Sequence, residues 1–212
     1  MQAPGWKHCL NTAVLAGLLA VGCAAVRAQD TGKPLLLVAA PGLAGPFERT
    51  TLVVAPLAGK HIGFILNRAT DVRLSTLFPD HPASAAVADP VYIGGPEMNE
   101  ALFAMVRGDP GGQALQLFGE LFVTGRAEAI DRIIEKTPND ARYFAGFVGW
   151  QPGELENEIR QGIWHVTEPD PALVLRRDTN GMWEELVKRL GIAPRPRRAP
   201  GQIEARYDAG PR

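Results

Sequence analysis

Cysteine is confined to the first 28 of the 212 residues, at Cys9 and Cys23. If that segment is removed, the remaining chain has no thiol. A disulfide framework, a cysteine nucleophile, a CxxC redox pair and a cysteine zinc site are then excluded together. Serine is nearly as scarce. Ser75 and Ser84 are the only two, and neither sits in a G-x-S-x-G elbow, which argues against serine hydrolysis. There is no G-x-x-x-x-G-K-[ST] phosphate loop and no H-E-x-x-H zinc helix. No G-x-G-x-x-G follows a strand, so a dinucleotide fold lacks its phosphate cradle. Past the leader the histidines are His61, His81 and His165, isolated from one another. No catalytic residue, metal or cofactor is expected, and the chain reads as a non-enzyme.

What is present is ordinary globular material: 46% hydrophobic and 21% charged residues, enough for one core. The net charge of −1 hides an uneven distribution. Residues 1–28 carry Lys7 and Arg27 and no acid. Residues 191–212 carry Arg195, Arg197, Arg198, Arg206 and Arg212 against Glu204 and Asp208. The segment between them is left at −6. A body of that sign repels phosphate backbones over most of its surface, so nucleic acid is disfavoured as a partner.

The N-terminus has the pattern of an export signal. Lys7 precedes an apolar, small-residue run from Cys9 to Val26, which ends at Val26-Arg27-Ala28 before polar Gln29-Asp30. Small residues before the cut suit signal peptidase, and cleavage is placed after Ala28. The mature chain would be periplasmic or secreted, with no span left in the membrane. One alternative is a lipobox at Ala20-Val21-Gly22-Cys23, which would leave a lipid-anchored Cys23. An uncleaved anchor helix and a misplaced start with a cytoplasmic protein are the others. The expected organisation is a signal peptide over 1–28, one domain over 29–190 and a disordered Pro/Arg-rich tail over 191–212.

Along the domain, Leu35–Val38, Thr50–Leu57 and His61–Leu66 read as strands, the last two a hairpin about Ala58-Gly59-Lys60. Residues 70–90 read as loop and short helix. Val91–Ile93 is a short strand running into Gly94-Gly95-Pro96. Ala101–Val106 and Leu115–Phe118 are predicted to pair as a second hairpin. Arg126–Lys136 is amphipathic, with Ile130, Ile133 and Ile134 on one face. Arg142–Val148 alternates as a strand, Gly153–Gln161 is a helix and Ile163–Val166 a strand. Asp170–Leu175 and Gly181–Leu190 are helices.

Several constellations are candidates for binding. Gly94-Gly95-Pro96 reads first as a tight turn needing positive φ, second as a backbone cradle for an anion. Asn67-Arg68 at a strand end offers a guanidinium fork for a carboxylate or phosphate, or simply a turn with an exposed Arg. Glu154 and Glu158 share a helix face, either as a cation or general-base site or as acids at a helix N-terminus. Glu156 and Arg160 have the spacing of an i,i+4 pair. Trp150 and Trp164 flank this helix, as core or as an aromatic face for a partner.

Taken together these residues resemble one family. Leu36–Pro41 followed by Phe47-Glu48-Arg49-Thr50 is similar to its opening strand and loop. Gly63-Phe64-Ile65-Leu66-Asn67-Arg68 and Val91-Tyr92-Ile93-Gly94-Gly95-Pro96 resemble its G-x-x-L-N-[RK] and Y-x-G-G-P segments. The run from Arg142 to Ile159, with Gly149-Trp150-Gln151-Pro152-Gly153-Glu154-Leu155-Glu156 inside it, resembles its most specific block. The family is YqgE/AlgH, and the resemblance spans roughly 33–190. It implies an α+β fold: a curled, mostly antiparallel sheet forming a pseudo-barrel surrounded by helices, in one domain. It implies no established activity or cofactor. Members carry the label of transcriptional regulator, yet nothing in this chain reads as a helix-turn-helix.

The expectation is a non-catalytic binding or regulatory module in the cell envelope, with an unidentified protein or small-molecule partner. Its surface would comprise Asn67, Arg68, Gly94, Gly95, Pro96, Arg142, Trp150, Gly153, Glu154 and Trp164. The alternatives are a cytoplasmic regulator and a hydrolase or metal-dependent enzyme using Glu154 or Glu158 with a histidine.

Overall fold

Alternate residues of a strand face opposite ways, so a strand that is apolar at every position must be covered on both faces. Strand β1 (Leu35–Ala39) meets that condition. Leu36 and Val38 enter one core cluster, while Leu35, Leu37 and Ala39 enter a second on the other face. Strands β2 (Thr51–Leu57) and β3 (Lys60–Ile65) follow the same rule and form the expected hairpin. This is a computed structural model, and it describes residues 30–192. The leader, the cleavage or lipidation site and nearly all of the basic tail lie outside the described residues.

The remaining strands are β4 (Ala69–Arg73), β5 (Pro90–Ile93), β6 (Glu97–Arg107), β7 (Leu115–Phe118), β8 (Leu121–Thr124), β9 (Ala141–Trp150) and β10 (Trp164–Thr167). The helices are α1 (Leu74–Leu77), α2 (Ala127–Lys136), α3 (Glu154–Arg160), α4 (Pro171–Val174) and α5 (Met182–Arg189), with a 3₁₀ turn at Pro82–Ala86. The sheet runs β10-β1-β2-β3-β9-β6-β8-β7, with β5 parallel to β9 and β4 on the far side of β5. All other pairings are antiparallel. The sheet curls into a half-barrel whose concave side holds the larger cluster, including Phe64, Met105 and Phe144. Helix α5 packs Met182 and Leu186 into it. Helix α3 covers the second cluster through Leu155. Helix α2 covers a third through Ile130, Ile133 and Ile134.

Two sequence expectations need correction. Strand β7 does not pair with β6. Four residues, Leu121–Thr124, form β8 between them, so β6 pairs β8 and β8 pairs β7. Residues 70–73, within the stretch read as loop and short helix, belong to β4. Its positions are almost all exposed, so it has no apolar alternation to betray it.

Strand β9 is the centre of the fold. On one side it pairs β3 through Val148–Trp150 and β5 through Phe144 and Ala145. On the other it pairs β6. The chain must therefore pass from one side of β9 to the other between β5 and β6, and it does so at Gly94-Gly95-Pro96. Here the glycines serve closeness of approach. A Cβ on Gly94 would collide with the Gly146 carbonyl oxygen, and one on Gly95 with the Phe147 carbonyl group. Neither has positive φ, so the expected positive-φ turn is replaced by a backbone-over-backbone crossing.

Candidate functional site

Gly146 on β9, at φ 69, sits beneath that crossing. Phe144 faces the concave cluster, yet Val148 and Trp150 face the opposite one. Residues of one parity change face only where an extra residue is inserted, and the left-handed Gly146 lies between them. Opposite it, β6 bulges. Glu97 pairs Phe147 and the next pair is Leu102 with Ala145, so 98–101 leave the ladder. The bulge, the crossing, the end of β3 and the loop before β2 enclose a groove of ≈ 560 Å³. Phe47, Ile65, Ile93, Pro96 and Ala145 form its apolar walls. Arg68, Asn99 and Glu100 are its charged and amide-bearing lining.

Arg68 is fixed at the backbone. Its carbonyl accepts from the Ile93 N–H at 2.9 Å, and the Ile65 N–H donates to Gly94 O at 2.8 Å. The β3 end and the crossing are thereby zipped together. Among the described residues the Arg68 guanidinium has neither ion pair nor hydrogen bond. It is about half-buried, and that burial pushes its pKa down. The neighbouring Asn67 is occupied. Its Oδ1 accepts from Thr51 N–H at 2.9 Å and its Nδ2 donates to Arg49 O at 2.8 Å. Asn67 thus pins the loop carrying Pro46 and Phe47.

Arg142, expected at a surface, is 2% exposed. It donates from Nη1 to Val174 O and from Nη2 to Leu66 O, both at 2.6 Å, and lies 4.1 Å from the Tyr92 ring centroid. Burial lowers its pKa. Trp150 and Trp164 are also interior, at 3% each. They do not form an exposed aromatic face. Their indole N–H groups both donate to Glu158 Oε2, at 2.8 and 2.7 Å. Glu158 is therefore a clamp between two core indoles. Glu154 is exposed and accepts from the Gln151 N–H at 2.9 Å, closing the turn into α3 over Gly153 at φ 81. Glu156 takes the Thr31 hydroxyl at 2.6 Å, which holds its carboxyl below the ordinary range. Arg160 turns to Asn157 rather than to Glu156. Among the described residues no group of three or more His, Cys, Asp or Glu could hold a metal.

Of the ten candidate residues, the structure brings Arg68, Gly95 and Pro96 together at the groove, with Gly94 and Asn67 as its frame. Trp150, Trp164, Gly153 and Glu154 gather instead around α3. Phe47 links the two places, lining the groove and meeting Trp164 edge-on at 5.8 Å. Asn99 and Glu100 gave no signal in sequence, because a bulge built on Met98 at φ 48 carries no glycine to mark it.

The profile of the AlgH-like family matches residues 36–195. The chain belongs to the AlgH-like family. A UPF0301 protein of Ruegeria pomeroyi is 34% identical over 172 residues, 76% of this chain and 92% of that protein. A UPF0301 protein of Streptomyces coelicolor is 33% identical, covering 73% of this chain and 84% of its own length. The solution structure of the AlgH protein from Pseudomonas aeruginosa superposes with a TM-score of 0.63, over 76% of this chain and 89% of that one, at 24% identity. A crystal structure from Corynebacterium diphtheriae gives 0.61 over 74% and 86%, also at 24% identity. At that identity the two structures establish the AlgH-like fold alone: the curled antiparallel half-barrel with its helices, in one domain.

Proposed function

We propose that this AlgH-like chain is a non-catalytic binding module of the cell envelope, periplasmic or secreted, which takes its ligand in the groove beside Arg68. The observation that carries the reading is a half-buried guanidinium with no partner among the described residues, facing a groove of ≈ 560 Å³. That size is typical of small-molecule sites. Away from the groove, the carboxylates of α3 are tied into the fold: Glu154 to a backbone N–H and Glu158 to two indoles. Export rests on the apolar leader and its Val26-Arg27-Ala28 end.

The test is fractionation of the native host followed by intact-mass and native mass spectrometry. The reading expects a chain beginning at Gln29 in the envelope fraction, carrying a small molecule that Arg68→Gln releases. A full-length chain in the soluble cytosol overturns export. Turnover of a supplied substrate that depends on Glu154 or Glu158 overturns the non-catalytic part.

A further inference from the structure

We propose that the groove selects a small molecule with an apolar body and a single carboxylate, and that Arg68 receives the carboxylate. The inference rests on the groove being the ligand site and adds the chemistry of what fills it.

A guanidinium is costly to withdraw from water unless an anion meets it. Arg68 is half withdrawn, has no acidic partner among the described residues, and is anchored at its own carbonyl by Ile93. The anion must then come from outside. The rest of the groove is mostly hydrocarbon, from Phe47, Ile65, Ile93 and Pro96, so the ligand needs an apolar body to match.

Charge fixes the head group. Among the described residues Arg68 is the only cation lining the groove, and Glu100 lines it too. Arg68 is not ion-paired to Glu100, so its guanidinium can meet one negative charge of a ligand. A phosphate near −2 would carry its second charge uncompensated, with Glu100 repelling it. A carboxylate is monovalent, planar, and matched to the guanidinium fork by two parallel hydrogen bonds. Asn99 adds an amide to the lining. Among the described residues lining the groove, none supplies the second cation or helix N-terminus that phosphate sites generally use.

The experiment is a titration of the purified full chain, by calorimetry and ¹H–¹⁵N NMR, with four probes. They are 4-phenylbutyrate, its uncharged amide 4-phenylbutanamide, the matching phosphonate, and a short peptide with an apolar C-terminal residue. The carboxylate is expected to shift the amides of Ile93, Gly95 and Asn99. It should bind about tenfold or more tightly than the amide, the ratio of a charge-assisted to a neutral hydrogen bond. Arg68→Gln should abolish that preference and Arg68→Lys reduce it. Unchanged melting would establish that the variants fold.

Equal binding of carboxylate and amide, tighter binding of the phosphonate, binding by the peptide alone, or indifference to Arg68→Gln overturns the carboxylate proposal. Failure of all four probes overturns it as well. The broader reading falls separately, when shifts lie away from the groove and natively purified protein carries no small molecule there.

Discussion

Arg142 is a cation in the interior held by carbonyls and ring faces. Two short hydrogen bonds tie the end of β3 to the end of α4, and the Tyr92 and Phe144 rings lie at 4.1 and 5.2 Å. Lysine cannot span two divergent carbonyls, and alanine leaves both orphaned. Arg142→Ala is expected to destabilise by about 3 kcal/mol or more, and Arg142→Lys by a large part of that, read by urea unfolding. Glu156 gives a subtler expectation. Its pKa is lowered chiefly by the Thr31 hydroxyl, so the ionised carboxylate stabilises the fold. That contribution is full above the ordinary glutamate range and is lost as pH falls through the depressed value. Thr31→Val should therefore lower the melting temperature most at neutral pH, with the gap to wild type narrowing in acid. An NMR titration should show the Glu156 midpoint rising in the variant. At this scale the sequence was half legible. Arg68 and the tryptophans stood out by type, but whether a polar side chain is spent on its own fold depends on partners that only the folded chain brings to it. Asn67 reaches back to Arg49, Glu158 forward to Trp164, and Arg142 across to Leu66.

The elements were more legible where burial on both faces or a helical stripe governs them. Strand β1, the β2–β3 hairpin, α2 and β9 declare themselves by hydrophobic pattern. Strand β4 has an exposed surface and leaves no periodic trace, and β8 follows β7 after only two residues, Gly119 and Glu120. Gly94-Gly95 was visible as a motif and misread in cause, because proximity to β9 is a tertiary fact. The distinction is measurable. A positive-φ turn tolerates asparagine in place of glycine, whereas a crossing of two backbones admits no Cβ of any kind. Gly95→Ala and Gly95→Asn are both expected to cost more than about 3 kcal/mol, or to prevent folding, as read by circular dichroism and thermal melting. Survival of the asparagine variant alone would restore the turn reading.

At the scale of the molecule the three core clusters share one sheet, and β9 contributes to each: Phe144 to the first, Val148 and Trp150 to the second, Ala141 and Tyr143 to the third. Helix α5 is fastened through its first turn, by Trp183 Nε1 donating to Ala39 O at 2.8 Å and by the Arg49–Glu184 ion pair. One cooperative unit is the consequence. Denaturant transitions followed by tryptophan fluorescence, which reads the surroundings of α3 and α5, and by far-ultraviolet circular dichroism, which reads the whole, should coincide. Separate midpoints would divide the half-barrel into independently stable parts.

The central position of β9 also sets an order of events at the ribosome. Strands β3 and β6 are each joined to β9 and not to one another. A nascent chain that has emerged only as far as Lys136 therefore carries three sheet fragments, β1–β2–β3, β4–β5 and β6–β8–β7, whose open edges await β9. Vectorial synthesis cannot complete this fold from its beginning. The emerging polypeptide keeps those edges unpaired until its keystone strand arrives.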